Sequence, residues 1–138
     1  SANIETKCVW KLSDKEVLFN ETNKYKQLST IDTFSEGNNA SIYRKGSKKY
    51  KVKTISLLDL LSKYSAPKYI DYLSIDTEGS EYEILKSFDF NQYEFQVITC
   101  EHNFSPLREK INNILKQNGY KRVLTSISRE DDWYLLNK

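Results

Sequence analysis

The spacing of apolar and polar positions changes along the chain, from an irregular opening to a stretch in which strand-like and helix-like patterns alternate. Residues 51–55 alternate polar and apolar as a half-buried strand does. Ser56 and Asp59 then form a capping pair for a helix carrying Leu57, Leu58, Leu60, Leu61 and Tyr64, which Pro67 stops. Residues 69–75 form a largely apolar run, the pattern of a central strand covered on both faces, and they lead into Asp76-Thr77-Glu78-Gly79. Ser80-Glu81-Tyr82-Glu83 reads as a capping box that opens a helix with Ile84, Leu85 and Phe88 toward the sheet. Residues 95–100 are a second buried strand, ending in Glu101-His102-Asn103.

Ser105 caps the next predicted helix and Pro106 fits its first turn. Leu107, Ile111, Ile114 and Leu115 follow at helical spacing, and Gly119 is the stop. Residues 120–127 and 133–136 are two further strands joined by the polar turn 128–132, so the chain closes on an antiparallel hairpin. Before residue 50 the pattern is weaker, with short strands at 7–11 and near 17–19. The polar stretch 35–47 reads as a solvent-exposed connection, with a lid over a site as the alternative. Strands alternating with helices indicate an α/β fold with crossover-linked parallel strands.

Composition narrows this only a little. The 138 residues suffice for a single domain with a real core, and 29% charged against 38% hydrophobic residues is ordinary for a globular chain. The 10 Tyr and 6 Phe residues argue against disorder. A formal charge of +2 implies no nucleic-acid partner, and Lys45, Lys48, Lys49, Lys51 and Lys53 read as a solvated surface. No apolar run approaches the roughly 20 residues that span a bilayer, so no membrane is expected and a cytoplasmic location is the default. Cys8 and Cys100 sit in apolar, strand-like surroundings as buried free thiols.

Candidate chemistry lies at the strand ends, since open parallel sheets bind ligands beyond their carboxyl edges. Asp76 and Glu78 follow one strand, with Gly79 turning the backbone sharply, and Glu101 and His102 end the next. Asp76 and Glu78 serve equally as helix caps. Glu81 and Glu83 belong to the first helical turn and stabilise its dipole. Glu101, directly after an apolar run, would be partly desolvated and calls for a cation or a hydrogen-bonding ligand. His102, the lone histidine, is the natural proton acceptor at neutral pH. A divalent metal on these acids is the weaker alternative, because their spacing matches no standard metal signature.

The stretches 54–61 (Thr-Ile-Ser-Leu-Leu-Asp-Leu-Leu) and 70–81 (Ile-Asp-Tyr-Leu-Ser-Ile-Asp-Thr-Glu-Gly-Ser-Glu) resemble the most recognisable segment of FkbM-type methyltransferases. Glu101-His102-Asn103-Phe104, Asn118-Gly119-Tyr120 and Asp131-Asp132-Trp133-Tyr134 resemble later blocks, and residues 8–15 an earlier strand and loop. The resemblance implies a truncated Rossmann-like class I methyltransferase sheet, mostly parallel with a C-terminal antiparallel hairpin. It also implies S-adenosylmethionine as cofactor and methyl transfer to a hydroxyl of a sugar or small metabolite. In that frame His102 or Asp76 is the base, Glu78 and Glu101 orient the acceptor or the base, and Asp14 joins Asp76 toward the cofactor.

Family members open with a strand, a glycine-rich turn, a helix and a second strand ending in an acid. The glycines here, Gly37, Gly46, Gly79 and Gly119, form no G-x-G. Without that first strand, residues 69–75 would present an exposed edge, to be covered by a second copy or a partner chain. Two readings follow: an enzyme chain holding the acceptor side, and a non-catalytic interaction module or remnant of the fold.

Overall fold

The computed structural model describes residues 2–36 and 40–137 and pairs their strands into two four-stranded sheets. In the first, β1 (Cys8–Trp10) runs parallel to β4 (Lys48–Ser56). The strand β2 (Glu16–Glu21) lies antiparallel to both β4 and β3 (Thr30–Ile31). In the second, β5 (Tyr69–Ile75) is parallel to β6 (Glu94–Glu101), while β8 (Asp131–Leu136) pairs antiparallel with β6 and with β7 (Tyr120–Val123). The expectation of a mostly parallel sheet is therefore corrected: two pairings are parallel and four antiparallel. The excursion through β2 and β3, and the closing hairpin, each return the chain alongside its own neighbour. An adjacent return of that kind is antiparallel.

Four α-helices accompany these strands among the described residues: α1 (Ser41–Arg44), α2 (Leu57–Lys63), α3 (Glu81–Ser87) and α4 (Arg108–Gln117). The Ser56 cap of α2 forms as expected, its Oγ accepting the Asp59 N–H at 3.1 Å, and the Ser13 hydroxyl also donates to Asp59. Ser56→Ala is expected to cost about 1 kcal/mol, read as a lowered urea midpoint at unchanged slope.

Two other caps differ from expectation. Ser80 sits at φ −95°, ψ 0°, outside the extended geometry of a cap, and its hydroxyl turns back to Thr77 at 2.7 Å, so no Ser80 capping box forms. Helix α4 starts at Arg108 rather than at Pro106 behind a Ser105 cap, because residues 105–107 spend their first bonds on a turn in which Arg108 N–H donates to Ser105 O.

The apolar core is built where the patterns crossed. Phe95, Ile98 and Cys100 of β6, Ile84 and Leu85 of α3, Ile111 and Leu115 of α4, and Tyr134 of β8 are sealed from solvent, with Leu57 of α2 in the same cluster and Val9 of β1 packed against it. Both cysteines are free thiols, Cys100 buried and Cys8 half-buried.

The strand β5 has its predicted bounds and, of the two places the sequence offered it, takes the exposed edge left by the absent first strand. Among the described residues it pairs with β6 alone, and Tyr69 and Tyr72 stand exposed, so it is an edge strand rather than a central one. The basic run on β4 is answered by the neighbouring acids, with Lys51 on Glu16 at 2.9 Å and Lys49 on Asp32 at 2.7 Å. No helix of the described residues is long and apolar enough to cross a membrane.

Candidate active site

The turn after β5 is held in shape by its own acids. Glu81 Oε1 accepts the N–H of Thr77 at 2.7 Å, the Thr77 hydroxyl at 2.9 Å and the N–H of Gly79 at 3.1 Å, which knots the turn from inside. Glu78 adopts φ +57°, and its carboxylate takes a hydrogen bond from Arg44 Nη2 at 2.9 Å. Arg44 also donates to the carbonyls of Leu28 at 2.7 Å and Phe34 at 3.1 Å, and Thr30 donates to Glu78 O at 3.0 Å. Segment 28–36 is thereby fastened against the turn.

Gly79 is required there. At φ +121°, a Cβ would also lie 3.1 Å from Phe34 Cβ. Stretch 35–47 is consequently more than a solvent-exposed connection, since it folds into α1 and supplies the buried Arg44. Gly37 and Asn39, in the same stretch, lie outside the described residues.

Strand β6 ends in the second group. His102 and Asn103 donate their N–H groups to Glu130 O at 2.8 and 3.3 Å, and Asn103 and Phe104 both take the left-handed conformation, φ 44° and 54°. That bend brings the Phe104 N–H to His102 Nδ1 at 3.0 Å, so Nδ1 is an acceptor and the proton of the neutral ring sits on Nε2. Nε2 lies 3.7 Å from Asp132 Oδ1, with no hydrogen-bond partner among the described residues. Asp132 is gripped by Arg108 through Nε at 2.8 Å and Nη2 at 2.7 Å, and by Arg122 at 3.2 Å. Burial holds His102 below its usual pKa. Burial pushes Asp132 upward, but its hydrogen bonds to Arg108 and the surrounding cationic groups outweigh that and hold it low.

Two hollows meet over this floor, sharing Glu101 and Asn103. One is lined by Phe34, Glu36, Gly79, Glu81 and Leu107 among others, the second by Leu28, Tyr43, Glu78, Phe104 and Glu130. Glu101, 9% exposed, has no cationic partner among the described residues. Burial and the neighbouring carboxylates of Asp76, Glu78 and Glu81 push its pKa up to about 8, against a smaller pull from the Asn103 amide. Burial also raises Glu78, opposed by Arg44, and raises Asp131, with Asp76 adding to it.

The fold thus brings Asp76, Glu81 and Glu101 together, with one carboxylate oxygen of each within 4.8 Å of the others. They are the carboxylates that could share a cation, although N–H and O–H donors already occupy Glu81. Glu78 is beside them but turned to Arg44, and His102 faces the Asp132 side. Asp14 is not brought in: it is exposed at the turn between β1 and β2, paired with Lys7 at 2.9 Å.

Sequence reasoning missed Arg44 and the Arg108–Asp132–Arg122 cluster. Arg44 lay in a polar stretch without periodicity. Asp132 was visible only as a turn residue and as part of the Asp131–Tyr134 block.

Carboxylates converging beyond the ends of parallel strands, on a turn knotted by its own Glu, are the frame in which family relationship can be judged. Residues 5–122 match the Methyltransferase FkbM domain. The chain belongs to the FkbM methyltransferase family. No curated protein and no solved structure matches it. The match ends inside β7, so Asp132, which lies under His102, is beyond it.

Methyltransferases of this family typically use S-adenosylmethionine. The described residues do not fit its adenosyl group: Gly79 is the glycine at a parallel-strand terminus, and the Phe34 side chain already fills the space beside it. No open backbone cradle remains there for the donor.

Proposed function

We propose that this chain forms the acceptor side of a methyltransferase, with Glu101 as the base that takes the proton from an acceptor hydroxyl on a sugar or small metabolite. The observation that carries this reading is Glu101 itself, buried at the end of β6, facing both hollows and lacking a cationic partner among the described residues. A carboxylate titrating at about 8 is a far stronger proton acceptor than an ordinary glutamate. His102 is a poorer candidate, because Nδ1 is occupied and Nε2 is sealed on the Asp132 side. It serves instead to fix the bend that carries Asn103 and Phe104.

S-adenosylmethionine is the proposed methyl donor. Its activated methyl leaves the protein mainly to align the hydroxyl and remove its proton. The donor's cradle is then supplied by residues other than those described here. Titration of this 138-residue chain with S-adenosylmethionine is expected to give no heat, while the chain completed by such a cradle transfers labelled methyl to a hydroxyl acceptor. In the completed enzyme Glu101→Gln is expected to lower turnover by about 10²-fold or more with donor affinity retained. Wild-type turnover by that variant would overturn the assignment.

The open edge of β5, with Tyr69 and Tyr72 exposed, favours a second reading, a non-catalytic interaction module in which a second copy or another chain covers that edge. On that reading methyl transfer is absent under every condition, and the sedimentation mass exceeds that of one chain.

A further inference from the structure

Over the whole chain basic residues outnumber acidic ones, 21 to 19, yet the paired hollows hold the reverse balance. Their lining includes Glu36, Glu78, Glu81, Glu101 and Glu130 and no Lys or Arg. Two of these five acids are answered inside the protein, Glu78 by Arg44 and Glu81 by the donors of its own turn. Glu36, Glu101 and Glu130 have no ion-pair partner among the described residues. Asp131 stands opposite Glu101 in the β6–β8 register, and Asp76 reaches the same carboxylate cluster.

A second feature is independent of the acids. The hollow that holds Glu130 is also walled by two exposed rings, Phe104 (66% exposed) and Tyr43 (46% exposed). Phe104 packs edge-to-face with His102 and Tyr43 with Tyr25, and aromatic rings beside unanswered carboxylates favour an ammonium group, by cation–π contact on one side and by charge on the other. They repel carboxylates and phosphates. Glu101, nine-tenths buried, is the acid that burial and its neighbours keep protonated near neutrality, so the charge that meets an ammonium is that of the outer acids, Glu36 and Glu130.

We infer that the acceptor taken by this cleft is a cationic amino alcohol, such as an amino sugar, whose hydroxyl meets Glu101 while its ammonium is held between the outer carboxylates and the rings of Phe104 and Tyr43. The inference rests on the placement of the acceptor beside Glu101 proposed above. The amine stays protonated and binds, while the hydroxyl is the group that reacts.

Three pyranoses of similar size and different charge test it: glucosamine, with an ammonium at C2, glucose, and glucuronate, with a carboxylate at C6, titrated near neutral pH and followed by the amide shifts of Asn103 and Phe104. Glucosamine is expected to bind about tenfold or more tighter than glucose, the worth of one hydrogen bond to a charged group, and glucuronate more weakly than either. Glu130→Gln, at an exposed position outside the proton-transfer step, is expected to erase most of that preference while glucose binding is kept. Equal binding of glucosamine and glucose, or tightest binding of glucuronate, overturns the inference and leaves the acceptor placement standing. Absence of any shift from all three overturns both. Calcium ion moving the same amides at lower concentration than glucosamine also overturns it, making the acids a metal site. Displacement of glucosamine by S-adenosylmethionine does the same, assigning the charge to the donor's sulfonium.

Discussion

Asp132→Ala is expected to lower the free energy of unfolding by about 3–5 kcal/mol, the usual cost of removing one partner from a buried ion cluster. Asp132 is 1% exposed and accepts both donors of the Arg108 fork, and Arg122 adds a bond to the same carboxylate. Truncation leaves two guanidinium groups facing each other beside neutral His102, with no carboxylate between them. Because the folded-state pKa of Asp132 is held below its ordinary value, its contribution is fully present above the unfolded value of about 3.9 and is lost as pH falls through the folded one. Wild type and variant are therefore expected to differ most near neutrality and to converge in acid, as read by urea unfolding followed by circular dichroism. A loss under about 1 kcal/mol at neutral pH would mean that water satisfies the cluster as well as Asp132 does. Loosening is expected to spread to the bend at residues 102–104, whose histidine loses the wall behind it.

What could be read from the sequence was whatever a local period or a local cap determines. β5 came out with its exact bounds, and α2 with its Ser56 cap, because an apolar run and a capping pair are set within a few residues of the chain. The convergence of Asp76 and Glu101 was also legible, since both close strands that a crossover helix makes parallel neighbours. Sheet position was legible only through the family resemblance, whose absent first strand left residues 69–75 at an edge, and not from the apolar pattern itself. The same apolar run suits an edge or a centre, and only the partners present decide which. Side-chain direction was equally hidden. His102 and Glu101 are adjacent at a strand end and both line the first hollow, yet the His102 ring nitrogens are turned to the Phe104 N–H and toward Asp132, because the two successive left-handed residues after His102 set the ring. The burial of Arg44 depends on carbonyls at 28 and 34 and a carboxylate at 78, and no pattern within its own stretch encodes those distances.

Glu101→Gln is expected to make the protein more stable as well as inactive, by about 5 kcal/mol once pH exceeds about 8, since each unit of pKa shift corresponds to about 1.4 kcal/mol. In the folded chain Glu101 keeps its proton up to about 8, held there by burial and by the carboxylates of Asp76, Glu78 and Glu81, whereas unfolded it ionises near about 4.3. Below the unfolded value both states are protonated and folding carries no penalty. Between the two values the unfolded state releases a proton that the folded state retains, so stability falls steadily as pH rises, and above the folded value the loss is complete. Glutamine has nearly the same shape and no charge to bury, which removes that slope. Unfolding free energies of the two proteins are expected to coincide at about pH 4 and to separate progressively up to about pH 8. Parallel profiles across that window would show that Glu101 titrates as an ordinary carboxylate. Turnover by the completed wild-type enzyme is expected to move the opposite way, rising through about pH 8 as the base loses its proton. The carboxylate cluster that disfavours the ionised fold is the same one that makes Glu101 basic enough to take a hydroxyl proton, so one substitution tests both.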